Sequence, residues 1–272
     1  MPDTMISARI LLLGGGNMGS ALLGGWLEKG LAAGNVTVVD PVVGPALQPL
    51  IEKGVAHRTT VPEGAFDIVV LAVKPQMMTA AVPPLKEAMR PETLVVSIAA
   101  GTTIAAIEDL LGTHPVVRAM PNTPALIGRG ITGAYGNERT SAADRAAATS
   151  LLEASGPVEW VDAEPLIDAI TAVSGSGPAY VFHLAECMAK AGAALGLPAD
   201  LAMRLARHTV AGAGELMIRS KDEPAQLRKN VTSPNGTTQA ALDVLMGDER
   251  LAKLMEEAMR AARDRAEALA KE

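Results

Sequence analysis

"ILLLGGGNMGSALLGGWLEKG", residues 10–30, decides the fold. A short apolar run feeds three consecutive glycines. Gly14, Gly16 and Gly19 then form G-x-G-x-x-G at the head of a stretch with helical spacing that ends at Gly30. Strand, glycine turn and helix in that order suit a dinucleotide. The first glycine permits a tight turn. The second lets the backbone approach a pyrophosphate, and the third lets helix and strand pack closely. The helix start adds N–H donors and the positive end of its dipole. Asn17 and Met18 lie inside this turn and belong to the candidate phosphate cradle. Glycines kept only for packing would read the same way in isolation.

The chain around this stretch repeats its pattern. "NVTVVD", "FDIVVLAVKP", "TLVVSIAAG", "HPVVRAMPNTP", "GITGAYG" and "PVEWV" read as strands. Between them, "PALQPLIEKG", "QMMTAAVPPLKEAMR" (interrupted near Pro83-Pro84), "TTIAAIEDLLG" with a Thr102 or Thr103 cap, and "SAADRAAATSLLEASG" read as helices. Strands alternating with helices predict a doubly wound, mostly parallel α/β sheet of Rossmann type, covered on both faces. After Asp162 the β-branched runs stop, and helical periodicity continues to Glu272. Two domains are expected, a dinucleotide-binding one over 1–162 and an all-helical one over 163–272.

Composition excludes several classes. The 272 residues are 49% apolar and 20% charged, with a net charge of -6 and six aromatic residues. Such a surface offers nucleic acid neither a basic footprint nor stacking rings. The single Cys187 excludes an internal disulfide framework and a cysteine-based metal site, and no His or Cys pair has metal-ligand spacing. The early apolar run is too short to span a bilayer, and no signal peptide is read. A cytoplasmic protein without membrane contact is expected.

In a parallel sheet, ligands lie beyond the carboxyl ends of the strands. Asp40 closes the second strand, 21 residues after Gly19. There a carboxylate accepts from the adenosine ribose and repels the 2′-phosphate of NADP, so NADH is expected over NADPH; a turn residue before Pro41 is the plainer alternative. Ala72, Val73, Lys74 and Pro75 follow another strand, with Lys74 either on the cofactor or merely solvated. Ala99 and Ala100 offer a close approach for the nicotinamide half, or simple tight packing. Asn122 and Thr123 are polar contacts nearby, or a turn before Pro124.

Taken together, "LLLGGGNMGSAL", "AVKP", "VVSIAAG", "RAMPNTP", "IDAITAVSGSGPAYVF" and "NVTSPNGTTQAAL" resemble the pyrroline-5-carboxylate reductase family, in its order and at about its spacing, from about Arg9 to the last helix. "SGSGPAY" and "SPNGTT" are its more specific motifs. The resemblance implies hydride transfer from NADPH or NADH to the C=N carbon of 1-pyrroline-5-carboxylate, giving L-proline in the last step of proline biosynthesis. It also implies a Rossmann domain and a helical domain that forms a homodimer, sometimes within a decamer. Members often carry Ser, Asn or Arg near the Asp40 position, and the loop commonly has Gly where this chain has Asn235. Asn tolerates the left-handed backbone that Gly would take there.

The chemistry asks for positioning more than for a nucleophile. No Ser-His-Asp arrangement is visible. His183, within "YVFHLAE", reads as a core or interface histidine. The substrate carboxylate needs donors, and "SPNGTT" runs into a helix start whose N–H groups point outward. Ser233, Asn235, Gly236, Thr237 and Thr238 form the candidate substrate loop. The Gly236 and Thr237 N–H groups are expected on the carboxylate, with Thr238 Oγ1 at the imine nitrogen. Capping by Ser233 or Thr237 is the structural alternative. Gly175 and Gly177 leave room for a ring. Ser176 is either a second catalytic hydroxyl or the cap of the helix that Pro178 opens. "AECMAKAGAALG", full of Ala and Gly, reads as part of an interlocked dimer core, with an intrachain bundle as the alternative. A β-hydroxyacid dehydrogenase would need a lysine such as Lys190 in place of the loop. A non-catalytic redox sensor would need no loop at all.

Overall fold

The computed structural model describes residues 8–269; the end of the expected last helix, 270–272, lies outside them. Eight strands form one sheet: β1 (Ile10–Leu13), β2 (Val36–Val39), β3 (Ala56–Arg58), β4 (Ile68–Leu71), β5 (Leu94–Ser97), β6 (Val116–Met120), β7 (Thr132–Gly136) and β8 (Val158–Trp160). Their spatial order is β3-β2-β1-β4-β5-β6-β7-β8. Every pairing is parallel except β6 with β7. The mostly parallel sheet expected from the alternating grammar is therefore present. β1, β4 and β5 are buried along their whole length, because helices cover both faces.

The covering helices are α1 (Asn17–Glu28), α2 (Gln48–Glu52), α3 (Met78–Ala81), α4 (Ile104–Leu111) and α5 (Ala142–Leu152). On one face Leu22, Leu23 and Trp26 of α1 meet Leu151 and Leu152 of α5 over Ile10, Leu12 and Val38. Trp26 is fully buried, and its Nε1 donates to the Leu151 carbonyl at 2.8 Å, which satisfies its one polar atom. On the other face Val82, Leu85, Ile107 and Leu111 pack over Leu11, Val69 and Val95. Thr103 caps α4 by accepting from the Ala106 N–H, and Ser141 with Asp144 forms a capping box on α5.

The stretch 76–90 is mostly helical and interrupted before Pro83, as expected, but only the four residues of α3 are α-helix, flanked by 3-10 turns at Pro75–Met77 and Pro83–Ala88. Pro83 and Pro84 bring no N–H to an α ladder, so the tighter form takes over. β3, a short edge strand, carries no apolar run and was not legible as a strand.

By backbone contacts the chain forms two compact units, Met1–Ser176 with Ala262–Glu272, and Gly177–Ala261. The division falls later than the change of grammar at 162–165. The second unit contains α7 (Gly177–Ala194), α8 (Ala199–Arg219), α9 (Pro224–Asn230), α10 (Thr237–Met246) and the first part of α11 (Arg250–Leu269). Before it, α6 (Leu166–Ile170) stays with the sheet. A Cβ on Gly133 of β7 would lie 2.5 Å from Ile170 Cδ1, so only glycine admits α6 this closely. Within the second unit α7 packs on α8 through small residues. Ala189, Ala202 and Ala206 are buried, and a Cβ on Gly192 would sit 3.3 Å from that of Ala202. Among the described residues no helix is long and apolar enough to cross a membrane.

Candidate active site

The parallel register aligns the strand ends. Leu13 pairs with Val39 and Leu71, Leu71 with Ser97, and Ser97 with Arg118. The segments carrying Gly14, Asp40, Ala72, Ala99 and Asn122 therefore leave one edge of the sheet. The strand order reverses direction between β1 and β4, which is the switch point where α/β sheets bind ligands.

At that point the glycines divide their work. A Cβ on Gly14 would lie 2.7 Å from the Ala72 carbonyl oxygen, and one on Gly19 would lie 2.2 Å from the Gly14 carbonyl oxygen. Both are required by the protein's own packing. Gly16 differs: nothing lies within 4 Å of a Cβ there, and its φ of -67° suits any residue. It is the N-cap of α1, which has no side-chain cap and no acidic residue in its first turn. Space over an uncapped helix start fits a pyrophosphate.

Asp40 braces the turn. Its Oδ2 accepts from the Gly15 N–H at 2.7 Å, and its Oδ1 accepts from the Val42 N–H at 2.9 Å. The plainer reading of Asp40 as a turn residue thus describes real bonds. Each carboxylate oxygen accepts two hydrogen bonds, so capacity for ribose hydroxyls remains. Lys74 is exposed at the start of a 3-10 turn, with Ala72, Val73 and Pro75 partly buried around it. Ala99 is buried and Ala100 partly so. Asn122 Oδ1 accepts from the Ile131 N–H at 3.0 Å, so this side chain holds its own loop, as the turn reading expected. Thr123 is exposed.

"SGSGP" is not a capped helix start. Between α6 and α7 the backbone makes a π turn over Thr171–Gly175, and the Ser176 N–H donates to the Thr171 carbonyl at 2.8 Å. Ser176 has helical dihedrals, φ -84° and ψ -21°, so it is no N-cap. Pro178 carries no N–H, and a regular α ladder through this stretch is impossible. Such widened turns recur at functional sites. Gly175 packs against the tip of Met120, whose Cε would lie 2.6 Å from a Cβ there and would have to move aside for one. Gly177 opens α7 with nothing within 4 Å of a Cβ.

In the second unit the chain leaves α9 and turns through Ser233–Gly236 into α10. Asn235 takes φ +59°, the left-handed backbone its amide side chain tolerates. The N-cap is Gly236, and no side chain caps α10, so capping by Ser233 or Thr237 does not occur. The Gly236 N–H donates to the Ser233 carbonyl at 3.0 Å. That donor closes the turn, which removes it from the expected carboxylate set. The N–H groups of Thr237 and Thr238, in the first turn, have no intrahelical acceptor. His183 sits on an open face of α7, its Nδ1 3.2 Å from Glu186 Oε2 and its Nε2 3.6 Å from Cys187 Sγ. In the single chain it is not a core histidine.

The sequence reading passed over one cluster. Arg118, in the middle of β6, is buried between Glu164 and Asp168. An arginine inside "VVRAM" was the available signal, since a buried guanidinium requires carboxylate partners.

Comparison with known proteins fits both units. Residues 164–269 match a family model described as pyrroline-5-carboxylate reductase dimerisation, and residues 9–101 match one described as NADP oxidoreductase coenzyme F420-dependent. A pyrroline-5-carboxylate reductase of Pseudomonas aeruginosa is 44% identical over 98% of this chain and 99% of its own. That of Synechocystis is 38% identical over 98% and 100%. A solved pyrroline-5-carboxylate reductase from Coxiella burnetii superposes with a TM-score of 0.89 at 35% identity, covering 98% of this chain and all of its own. The Plasmodium falciparum enzyme, solved with NADP bound, gives 0.80 at 26%, covering 98% and 99%. With the glycine turn, the π turn and the uncapped loop each present where the motifs lie, the chain belongs to the pyrroline-5-carboxylate reductase family.

Proposed function

We propose that this enzyme reduces 1-pyrroline-5-carboxylate to L-proline with a nicotinamide cofactor, and prefers NADH to NADPH. The observation that carries the substrate is the start of α10, a helix N-terminus without a side-chain cap in a loop without charge. Its Thr237 and Thr238 N–H groups bind the carboxylate, and the turn closed by Ser233 and Gly236 holds that helix start in place. Asn235 supplies the left-handed step. Thr238 Oγ1 donates a hydrogen bond to the imine nitrogen and relays to it a proton taken up from water, with the Ser176 hydroxyl as the second candidate for that relay. The protonated imine is already electrophilic. The bound reduced nicotinamide supplies hydride. What remains for the protein is positioning and exclusion of water.

Gly14, Gly16, Asn17, Met18 and Gly19 would hold the pyrophosphate, and Asp40 the adenosine ribose. The segments Ala72–Pro75, Ala99–Ala100 and Asn122–Thr123 would line the rest of the cofactor. The NADH preference rests on the Asp40 carboxylate, which two backbone N–H groups hold at the end of β2. Arg58, on β3 beside Val39, is the cation that favours the opposite outcome. A homodimer in a reducing, cytoplasmic setting completes the reading.

Consumption of NADH and NADPH with the imine, measured side by side, tests both parts. We expect imine-dependent turnover with a higher kcat/KM for NADH. Equal or better use of NADPH overturns the preference, and no imine-dependent turnover overturns the function. Thr238→Ala should lower kcat/KM for the imine by about 100-fold, the usual scale for a lost general acid. An unchanged value removes Thr238 from the proton path.

A further inference from the structure

Arg118 stands on β6 with its side chain 3% exposed. Its Nη2 donates to Asp168 Oδ1 at 2.6 Å, and its Nη1 donates to Glu164 Oε1 at 3.1 Å. The same Glu164 oxygen accepts from the Ile104 N–H at 2.8 Å. Ile104 is the first residue of α4, directly after the Ala99–Thr103 turn. Asp168 lies on α6, which runs into the π turn and Gly175. One guanidinium therefore holds two segments of the site through separate arms. The Glu164 arm reaches the turn beside the nicotinamide half of the cofactor. The Asp168 arm reaches the "SGSG" segment, whose Gly175 already packs on Met120, two residues along from Arg118. Two carboxylates against one cation leave a negative excess, and the N-terminus of α4 faces it favourably.

This cluster is more than a fastening for the sheet. A buried cation could be satisfied by one carboxylate, or replaced by apolar packing at little cost. Here it has two partners, and each governs a different segment of the site.

We infer that Arg118 is a positioning residue of the reductase, which sets the cofactor turn through Glu164 and the substrate segment through Asp168. The inference rests on the proposed function. Its test uses two near-isosteric changes, each weakening one arm while keeping an acceptor for the guanidinium. Asp168→Asn should raise KM for the imine on the order of 10-fold and leave KM for the nicotinamide cofactor near its original value. Glu164→Gln should do the reverse, raising KM for the cofactor on the order of 10-fold. A role confined to stability would lower the melting temperature or the active fraction without separating the two constants. KM values that stay unchanged, or that move together in both variants, overturn the inference. Fluorescence titration with NADH reads the Glu164 arm independently of turnover. If the unaltered enzyme fails to reduce the imine, the function is wrong, while weaker NADH binding by Glu164→Gln still supports that arm. Unchanged NADH affinity in that variant removes it.

Discussion

Gly16 separates packing from binding more cleanly than its neighbours do. At Gly14 and Gly19 an added methyl would strike backbone atoms of the fold itself. At Gly16 it would enter open space over the start of α1. Gly16→Ala should therefore leave the melting temperature within about 2 °C, as a surface change of a few tenths of a kcal/mol would. It should nonetheless raise KM for the cofactor by tenfold or roughly more, because the pyrophosphate loses its approach. Thermal melts and cofactor titrations on one preparation decide it, and an unaltered KM would show that the third consecutive glycine serves no phosphate. Asn235 illustrates the opposite case, a residue whose backbone matters more than its side chain. Replacement by Ala should cost about 1 kcal/mol for a left-handed residue without a compensating amide, whereas Gly should be accepted. Chemical denaturation of the two variants measures the difference.

Among the elements, the end of α11 returns to the sheet beside the turn that follows β5. Gly101, with φ +72°, follows the Ala99–Ala100 segment, and a Cβ there would lie 3.0 Å from that of Leu269. Ala266, one turn earlier, is buried. Gly101→Ala should cost about 1–2 kcal/mol through the left-handed backbone alone, and more where Leu269 cannot yield. Unfolding in urea would show it, and unchanged stability would mean the helix end does not rest there. The strands and glycine turn were legible because β1, β4 and β5 are continuous apolar runs and the turn obeys a spacing rule. The left-handed Asn235 was legible because few residues other than glycine accept that backbone. Ser176 misled because Ser before Gly-Pro has the composition of a cap, while the π turn over Thr171–Gly175 carries no signature in local composition. The Gly236 donor misled because a turn bond to Ser233 uses it, and backbone bonds leave no mark in composition. The Arg118 cluster joins residues about fifty positions apart, beyond any local pattern.

For the whole molecule, the large apolar side chains left outside the core are concentrated in the helical unit. Phe182 is 63% and Ile218 77% exposed in the single chain, with Val181, Leu184, Met188 and Met217 also open. Apolar surface on this scale requires a partner, and the match of 164–269 to a dimerisation family supplies one, a second copy. The expectation of close helix contact thus has two halves: small residues join α7 to α8 within the chain, and the large ones remain for association. Phe182→Asp should shift the sedimentation coefficient from dimer to monomer at micromolar protein and make the melting temperature insensitive to concentration. A dimer that survives this change would place the interface elsewhere on the helices.

The route of the chain carries a practical consequence. Because residues 262–269 rejoin the sheet-bearing unit, the helices from Gly177 to Ala261 form an insertion with two entry points, not a tail. Simple truncation at Ser176 would strip Gly101 of its neighbour Leu269. A fragment meant to keep the sheet-bearing unit whole must therefore retain residues 262–269 as well as those before Gly177.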